Sequence, residues 1–310
     1  SPTASPTASP TASPTAASGS TWTQQTNSTK QLWVSMASSS DATKLAAMVS
    51  EGFIHTSTDS GVTWTQQTNS TQQKWYAIAS SSDGTKLAAL VYEGFIHTST
   101  DSGVTWTQQT NSTQRLWESI ASSSDGTKLA ACANGASIHT STDSGVTWTP
   151  QTNSTEEEWF SIASSSDGTK LVAAVYNGFI YTSTDSGVTW TQQTNSTEQA
   201  WFRMASSSDG TKLAAAVYEG FIHTSTDSGV TWTQQTNSTQ QFWWSIASSS
   251  DGTKLAAAVY DGFIYTSTDS GVTWTPQSDS TQQVWYSIIS SSDGTKLAAA
   301  AYDGFIHTSP

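Results

Sequence analysis

The sequence has few charged residues and a single cysteine. Asp, Glu, Lys and Arg make up 11% of the 310 residues, and 11 basic residues against 24 acidic ones give a formal net charge of −13. A chain this poor in basic residues lacks a face that could neutralise nucleic-acid phosphates or an anionic membrane surface, so we expect neither partner. Cys132 alone cannot form an intrachain disulfide and says little about the cellular compartment.

Long hydrophobic runs are also lacking. No segment approaches the roughly 18 consecutive apolar residues of a membrane-spanning helix, so no membrane span is expected. The chain begins at Ser1 without a methionine or a signal peptide, which suits either a processed, mature secreted protein or an artificially trimmed chain. The expected location is extracellular or at the cell surface.

The sequence is dominated by a repeat with a period of 42 residues. Seven such units account for residues 17–310, whereas residues 1–16 are four copies of Ser-Pro-Thr-Ala. Two tryptophans recur in every unit, and we expect both to pack in the core. The first series is Trp22, Trp64, Trp106, Trp148, Trp190, Trp232 and Trp274, and the second is Trp33, Trp75, Trp117, Trp159, Trp201, Trp243 and Trp285. A period of this length indicates a propeller or a solenoid.

One unit, residues 75–116, illustrates the expected strands. Runs rich in β-forming residues occupy residues 75–80, 86–92, 95–99 and 105–109. An Asp-Gly turn separates the first two runs and a Glu-Gly turn the next two, and Asp-Gly between such runs is a strong hairpin signal. Each unit is therefore predicted to be a four-stranded antiparallel sheet.

The segment Ser-x-Asp-x-Gly-x-Thr-Trp at residues 99–106 resembles the Asp-box of sialidases, sortilin-like receptors, xyloglucanases and photosystem II assembly factors. The whole unit is most similar to the assembly-factor type. This resemblance covers residues 17–310 and implies an all-β fold, a seven-bladed β-propeller of four-stranded blades. The box carboxylates are interpreted as structural, because an Asp side chain can satisfy the N–H groups of its own turn. They are Asp59, Asp101, Asp143, Asp185, Asp227 and Asp269.

The two ends of the repeat region complement each other. The chain ends in a third strand at residues 305–309 and begins, after the tail, with a fourth strand at residues 19–25. We therefore predict that the N-terminal strand joins the C-terminal unit, closes the propeller and covers two exposed strand edges.

Comparison of the units with one another shows variation before and after the second-series tryptophan and in the second hairpin. Drift of unconstrained loops would explain this variation. The alternative is a groove of aromatic side chains on one face, which would suit sugars or protein side chains. Its candidate binding residues are Tyr76, Phe160, Phe202, Trp244 and Tyr286.

Five histidines share one register of the repeat, but Tyr181 and Tyr265 replace them in two units. A metal ligand would not survive that exchange, whereas a packing role would, so no metal site is predicted. No cofactor is expected either. The histidines are His55, His97, His139, His223 and His307.

Two patterns favour covalent glycans. Six units carry Asn-x-Ser/Thr acceptor motifs for N-glycosylation, at Asn27, Asn69, Asn111, Asn153, Asn195 and Asn237. Ser/Thr-rich sequence with regularly spaced proline is typical of an O-glycosylated stalk in extended polyproline II, and a flexible linker is the alternative. The candidate O-glycosylation positions are Ser1, Pro2, Thr3, Ser5, Pro6, Thr7, Ser9, Pro10, Thr11, Ser13, Pro14 and Thr15.

The near-identical units offer equivalent weak sites and not the one asymmetric constellation that catalysis needs, so we assign no catalytic residue and expect no enzyme. Sialidases, among the resembling families, grip substrate with an arginine cluster, whereas this chain has only Arg115 and Arg203. The assembly factors carry a basic patch that this acidic chain lacks, so a hydrolase and a photosystem assembly factor are the less favoured alternatives.

Two functions remain. The first is a non-enzymatic extracellular structural or interaction protein, self-assembling as a propeller unit of a glycosylated surface fibre, stalk or layer. The second is a lectin-like propeller that binds a carbohydrate or a protein at its variable rim.

Overall fold

The computed structural model describes residues 21–310, and the predicted tail of residues 1–16 lies outside the described residues. The described chain is all-β, with short strands interrupted by one-turn 3-10 helices. No helix in this part of the chain has the length and apolar character needed to cross a membrane.

Each repeat contributes four strands. The strands of the first half are β1 (Thr23–Gln25), β2 (Gln31–Ser38), β3 (Leu45–Gly52), β4 (Ile54–Ser57), β5 (Thr65–Gln67), β6 (Gln73–Ser80), β7 (Leu87–Val91), β8 (Ile96–Ser99), β9 (Thr107–Gln109), β10 (Trp117–Ser122), β11 (Leu129–Ala136), β12 (Ile138–Ser141), β13 (Thr149–Gln151) and β14 (Glu157–Ser164). Those of the second half are β15 (Leu171–Gly178), β16 (Ile180–Ser183), β17 (Thr191–Gln193), β18 (Gln199–Ser206), β19 (Leu213–Val217), β20 (Ile222–Ser225), β21 (Thr233–Gln235), β22 (Trp243–Ser248), β23 (Leu255–Val259), β24 (Ile264–Ser267), β25 (Thr275–Gln277), β26 (Trp285–Ser290), β27 (Leu297–Gly304) and β28 (Ile306–Ser309).

A 3-10 helix links each fourth strand to the next first strand. These helices are Thr26–Ser28, Thr68–Ser70, Thr110–Ser112, Thr152–Ser154, Thr194–Ser196, Thr236–Ser238 and Ser278–Ser280. The buried serine that ends each helix accepts a hydrogen bond from the first N–H of a third strand, as Ser112 Oγ does from Ile96 at 2.9 Å. This bond fixes the link against its own sheet.

Strands β6 to β9 show how one unit pairs. Each strand is antiparallel to the next, with Ala89 of β7 opposite Ile78 of β6 and His97 of β8. His97 in turn lies opposite Gln108 of β9. The four strands predicted within residues 75–116 are therefore present, in the predicted order.

The first strand of every unit contains a β-bulge. In β6, Trp75 lies opposite Val91 but Ala77 lies opposite Leu90, so Tyr76 has no partner across the strand pair. A bulge re-aims the side chain at that position. The same register shift follows the second-series tryptophan in all seven first strands, and the bulged residues are Val34, Tyr76, Glu118, Phe160, Phe202, Trp244 and Tyr286.

The core lies between neighbouring sheets. Leu90 of one unit and Trp117 of the next share a cluster in which both side chains are fully buried. Small alanines on the second strands let the sheets approach closely, and each fully buried tryptophan contributes roughly 1.5–3 kcal/mol to stability. The second-series tryptophans are all buried, and the first series is buried or half-buried against them.

The first and last strands of the described residues pair with each other. Strand β1 pairs antiparallel with β28, with Thr23 opposite Thr308 and Gln25 opposite Ile306, as the split repeat predicts. Trp22 packs on Trp285 with ring centroids 6.4 Å apart.

A serine ring joins the turns that follow the first strands. The backbone N–H of Ser40 donates to the carbonyl of Ser82 at 2.7 Å, the same bond recurs from unit to unit, and Ser292 donates back to Ser40. The members of the serine ring are Ser40, Ser82, Ser124, Ser166, Ser208, Ser250 and Ser292.

A candidate ligand-binding surface of aromatic side chains

The sheets have two chemically different ends. At the turn end, the turn between the first and second strands adjoins the turn between the third and fourth, and Ser102 N–H donates to the Thr85 carbonyl at 2.9 Å. A cavity of about 210 Å³ at this end is lined by serines alone. At the opposite, hairpin end lie the second hairpins, the 3-10 links and the bulged residues.

Four consecutive bulged residues form an aromatic arc at the hairpin end. Phe160 and Phe202 have ring centroids 4.7 Å apart, Phe202 and Trp244 4.9 Å, and Trp244 and Tyr286 4.8 Å. The structure thus brings four of the five predicted binding residues into one continuous row of tilted aromatic contacts. Tyr76 belongs to the same register but contacts Tyr92 of its own unit and not the arc.

A second layer of tyrosines, from the ends of the second strands, packs on the bulged residues. Tyr260 lies 5.1 Å from Trp244, and Tyr302 stacks on Tyr286 at 4.5 Å. The layer comprises Tyr92, Tyr176, Tyr218, Tyr260 and Tyr302. These residues were not among the predicted binding residues. The sequence does carry a signal for them, because the two units without this tyrosine also lack an aromatic bulged residue.

An aromatic groove at the hairpin end is larger than the serine-lined cavity. It has a volume of about 590 Å³ and lies beside the arc, and its lining residues are Tyr218, Gln241, Phe242, Trp244, Val259, Tyr260, Asp261 and Tyr286. Phe242 and Tyr260 are each 39% exposed, so the groove presents apolar rings to solvent.

Polar residues that occur in only some of the units lie on one side of the aromatic arc. Glu118 is 8% exposed, and its Oε2 has no hydrogen-bond partner among the described residues. Burial raises the pKa of Glu118, while a hydrogen bond from Tyr76 and the charge of Arg203 oppose that rise. Burial also raises the pKa of Tyr76, so its hydroxyl stays protonated at neutral pH. The Arg203 guanidinium lies 4.3 Å from the ring centroid of Phe202.

This polar sector corrects the expectation that all units present equivalent sites. Tyr76, Glu118 and Arg203 come from three different units and interact electrostatically, which makes one side of the hairpin end unlike the rest. The repeat period hid this grouping, because Glu118 and Arg203 are each a single departure within their own unit.

Comparison with known proteins identifies the fold. No family model matches the sequence, and no curated protein is similar to it in sequence. Among solved structures, YCF48 bound to a D1 peptide is similar with a TM-score of 0.72 and 17% identity, over 93% of this chain and 95% of that one. The β-propeller domain of Cps50 (Swd1) from Myceliophteria thermophila is similar with a TM-score of 0.71 and 11% identity, over 90% and 97%. The fold is a β-propeller.

A GH74 xyloglucanase from Xanthomonas campestris is also similar, with a TM-score of 0.72 and 14% identity. The match covers 93% of this propeller but 53% of the xyloglucanase chain. At these identities the likeness establishes the fold alone, and membership of the Asp-box proteins stays a prediction.

The predicted Asp-box residues lie at the turn end of the propeller, away from the aromatic arc. Asp101 Oδ1 accepts hydrogen bonds from Ser99 Oγ at 2.8 Å and Thr105 N–H at 2.9 Å, and its Oδ2 accepts from Thr105 Oγ1 at 2.6 Å. The same three bonds recur in the other five boxes. Hydrogen bonds from the hydroxyl and N–H of Thr63 lower the pKa of Asp59. These carboxylates therefore accept their hydrogen bonds from residues of their own turns.

The histidines of the propeller pack against tryptophans. His97 lies edge-on to Trp75 with centroids 5.1 Å apart at 77°, and Tyr181 takes the same position against Trp159 at 5.0 Å and 73°. Burial lowers the pKa of His97 to about 4. Within residues 21–310 no group of His, Cys, Asp and Glu side chains is arranged to hold a metal ion.

All six N-glycosylation candidates are exposed in the 3-10 links of the propeller. Each asparagine Nδ2 donates a hydrogen bond of 3.2–3.5 Å to a valine carbonyl in the Asp-box turn of the next unit. The N-glycans stay a prediction, and the O-glycosylation candidates lie outside the described residues.

Proposed function

We propose that the chain is a closed seven-bladed propeller of the Asp-box type that acts as a non-enzymatic binding module, with its ligand lying across the aromatic groove at the hairpin end. Closure is supported by the serine ring, which returns from Ser292 to Ser40, and by the pairing of β1 with β28. Strand β27 also pairs with β2, so the last unit contacts the first along their strands.

The main support for the binding function is the row of contacting rings of Phe160, Phe202, Trp244 and Tyr286 beside a groove with exposed rings. Aromatic faces near solvent provide apolar contact area, and tyrosine adds a polar tip for orientation. The D1 peptide bound to YCF48 supports a polypeptide ligand for a propeller of this shape. A carbohydrate fits the same chemistry and is the alternative ligand.

The absence of catalysis is also part of the proposal. Tyr76 and Glu118 resemble a nucleophile with its partner, but burial raises the pKa of Tyr76 and so disfavours the phenolate that would act as the nucleophile. Arg203, one of two arginines in the chain, lies over Phe202 and donates to that residue's own carbonyl at 2.9 Å. We therefore assign this sector to ligand orientation.

The test is a binding screen of the full chain against a glycan array and a proline-rich and aromatic peptide array. For any probe that binds, Trp244→Ala is expected to weaken affinity at least about tenfold, as truncation of a central aromatic anchor does. Tyr265→His is the matched control, because it removes an aromatic residue outside the groove and installs the residue that five other units carry there. Equal binding by Trp244→Ala, or release of sugar from sialosides or xyloglucan, would contradict the proposal.

The second candidate function is the structural unit of an extracellular glycosylated fibre or surface layer. It is favoured by the regular tail of residues 1–16 and by the exposed sequons of the 3-10 links. Mass spectrometry of residues 1–29 from native material tests it, since unmodified peptides there would remove the glycosylated fibre.

A further inference from the structure

We infer that the aromatic groove binds residues 1–16 of a second copy of this chain, so that propellers associate head to tail. The inference rests on the proposed binding function and names its ligand: a proline-rich segment in polyproline II, without charged side chains.

The walls of the groove are aromatic rings, against which prolyl rings can pack. Phe242 meets Tyr218 edge-on, with centroids 5.1 Å apart at 88°, while Trp244 contacts Tyr260 at 5.1 Å and Tyr286 at 4.8 Å. Two sets of rings thus line the opening from different directions. Polyproline II segments dock in aromatic-lined grooves, because they bury prolyl rings at little cost in conformational entropy.

The polar atoms of the groove are also suitable. A polyproline II backbone has no internal hydrogen bonds, so its carbonyls remain free to accept from a receptor. Tyr218, Tyr260 and Tyr286 supply phenolic hydroxyls in the groove. The ordinary pKa of tyrosine, near 10, already keeps the Tyr286 hydroxyl a donor at neutral pH, and burial and the neighbouring Tyr260 and Tyr302 raise the pKa of Tyr286 further.

Charge and composition favour the tail over other peptides. The chain has a net charge of −13 and the groove contains Asp261, so an acidic ligand is repelled. Residues 1–16 consist only of Ser, Pro, Thr and Ala. With about three residues per turn, successive prolines of the four-residue repeat point in directions about 120° apart. Each proline can therefore enter the groove singly, in one of four equivalent registers.

The direction of β1 favours a second copy over the tail's own propeller. Thr23 lies opposite Thr308 and Gln25 opposite Ile306, so β1 begins at the turn end and runs towards the hairpin end. The described chain therefore enters β1 at the end opposite the aromatic groove. Head-to-tail contact between different surfaces extends into an open filament when the rotation does not close.

The experiment is sedimentation velocity of the full chain, produced without glycosylation, over about 1 μM to 1 mM, the range of weak interfaces. We expect concentration-dependent oligomers. Association is expected to weaken at least tenfold when Trp244→Ala alters the groove and when Pro2, Pro6, Pro10 and Pro14 are all changed to Ala. Tyr260→Ala is a second groove variant that removes a half-exposed ring and leaves the core intact. Tyr265→His should associate like the unaltered chain.

Complementation makes the test specific. The Trp244→Ala chain keeps its tail and the four-proline variant keeps its groove, so their mixture should form dimers that cannot extend. Any one of three results would overturn the inference: an unaltered chain that is monomeric at 1 mM, groove variants that associate normally, or a mixture that forms no dimers. The binding screen described under the proposed function, repeated on the four-proline variant, distinguishes failure of this inference from failure of the proposed function. If the chains do not associate through the tail but a glycan or an unrelated peptide binds this variant, the groove is still a binding site and the tail is not its ligand.

Discussion

The carboxylate of each Asp-box turn accepts three hydrogen bonds from two residues of the same turn, as Asp101 does from Ser99 and Thr105. Ser99 Oγ also accepts from the Gly103 N–H at 2.9 Å, and Gly103 adopts a φ of 87° that other residues rarely reach. One carboxylate, two hydroxyls and one glycine therefore define the turn, which explains why the sequence varies so little there.

Asp101→Ala tests this role of a single residue. The substitution leaves the Thr105 N–H and the two hydroxyls without their acceptor, so we expect the free energy of unfolding to fall by about 1–3 kcal/mol. Urea unfolding followed by tryptophan fluorescence measures it. Glu156→Ala, at an exposed site, is the control and should change little. A cost for Asp101→Ala no greater than that of the control would show that the turn folds without its carboxylate.

At the scale of the strand, the fourth strand is the outer one of each sheet. Pro150 lies opposite His139 and Pro276 opposite Tyr265 in the middle of two such strands. Proline has no N–H to donate, so at this position of the fourth strand the backbone nitrogen must point away from the third strand. Gln24 has the same register in β1, opposite His307.

This register gives a prediction for the strand that joins the two ends of the chain. Gln24→Pro should leave stability nearly unchanged, whereas Gln25→Pro should remove a ladder hydrogen bond to β28 and detach β1. Thermal melting and size-exclusion chromatography of both variants are the measurements. Detachment exposes two strand edges, so the Gln25→Pro chain should melt lower and aggregate. Identical behaviour of the two variants would exclude a stabilising role for β1.

Strand boundaries show what the sequence could and could not predict. The turn residues of the unit correctly located all four strands, but the fourth begins at Thr107 and not at residue 105. The reason is local: Thr105 bonds to Asp101, and Trp106 Nε1 donates to the Gly103 carbonyl at 2.8 Å, which holds both residues in the turn. The first strand begins earlier than predicted, at Gln73, because Gln73 pairs with Gly52 of the preceding unit.

The candidate site, like the strand boundaries, was only partly predictable from the sequence. The aromatic bulged residues stood out because they vary at one register, yet their stacking depends on contacts between units that a repeat cannot reveal. Phe242 and the polar sector of Glu118 and Arg203 were missed for the same reason. They acquire a shared role only where neighbouring units meet.

At the scale of the whole molecule, equivalent residues act together. The five buried histidines lie in five different units, and burial lowers the pKa of each, to about 4 for His55, His97, His223 and His307. An unfolded histidine has its ordinary pKa near 6.5. Between these values the unfolded chain takes up protons that the folded chain does not, so stability present above pH 6.5 is lost as pH falls towards 4.

The prediction is a fall in the free energy of unfolding between pH 7 and pH 4.5, measured by urea unfolding at both values. Each histidine should contribute about 1–3 kcal/mol to it. The turn carboxylates contribute less in this window, because an unfolded aspartate has a pKa of about 3.9, below pH 4.5, and hydrogen bonds from Ser81 and Thr85 lower the folded pKa of Asp83 to about 2. His97→Tyr should make the fall smaller and Tyr181→His should make it larger. The idea fails if both variants keep the original pH dependence.

The pairing of β1 with β28 also determines when the protein can finish folding. A ribosome adds Thr23 first and its partner Thr308 only 285 residues later, which takes roughly 15–60 s at about 5–20 residues per second. Until then β1 has no partner strand, and the sheet that it completes stays unfinished until β28 has left the exit tunnel. Polysomes that make this protein therefore hold many unpaired β1 strands close together. Such strands can pair with the sheets of neighbouring chains, so we expect rapid release of each chain to reduce strand exchange.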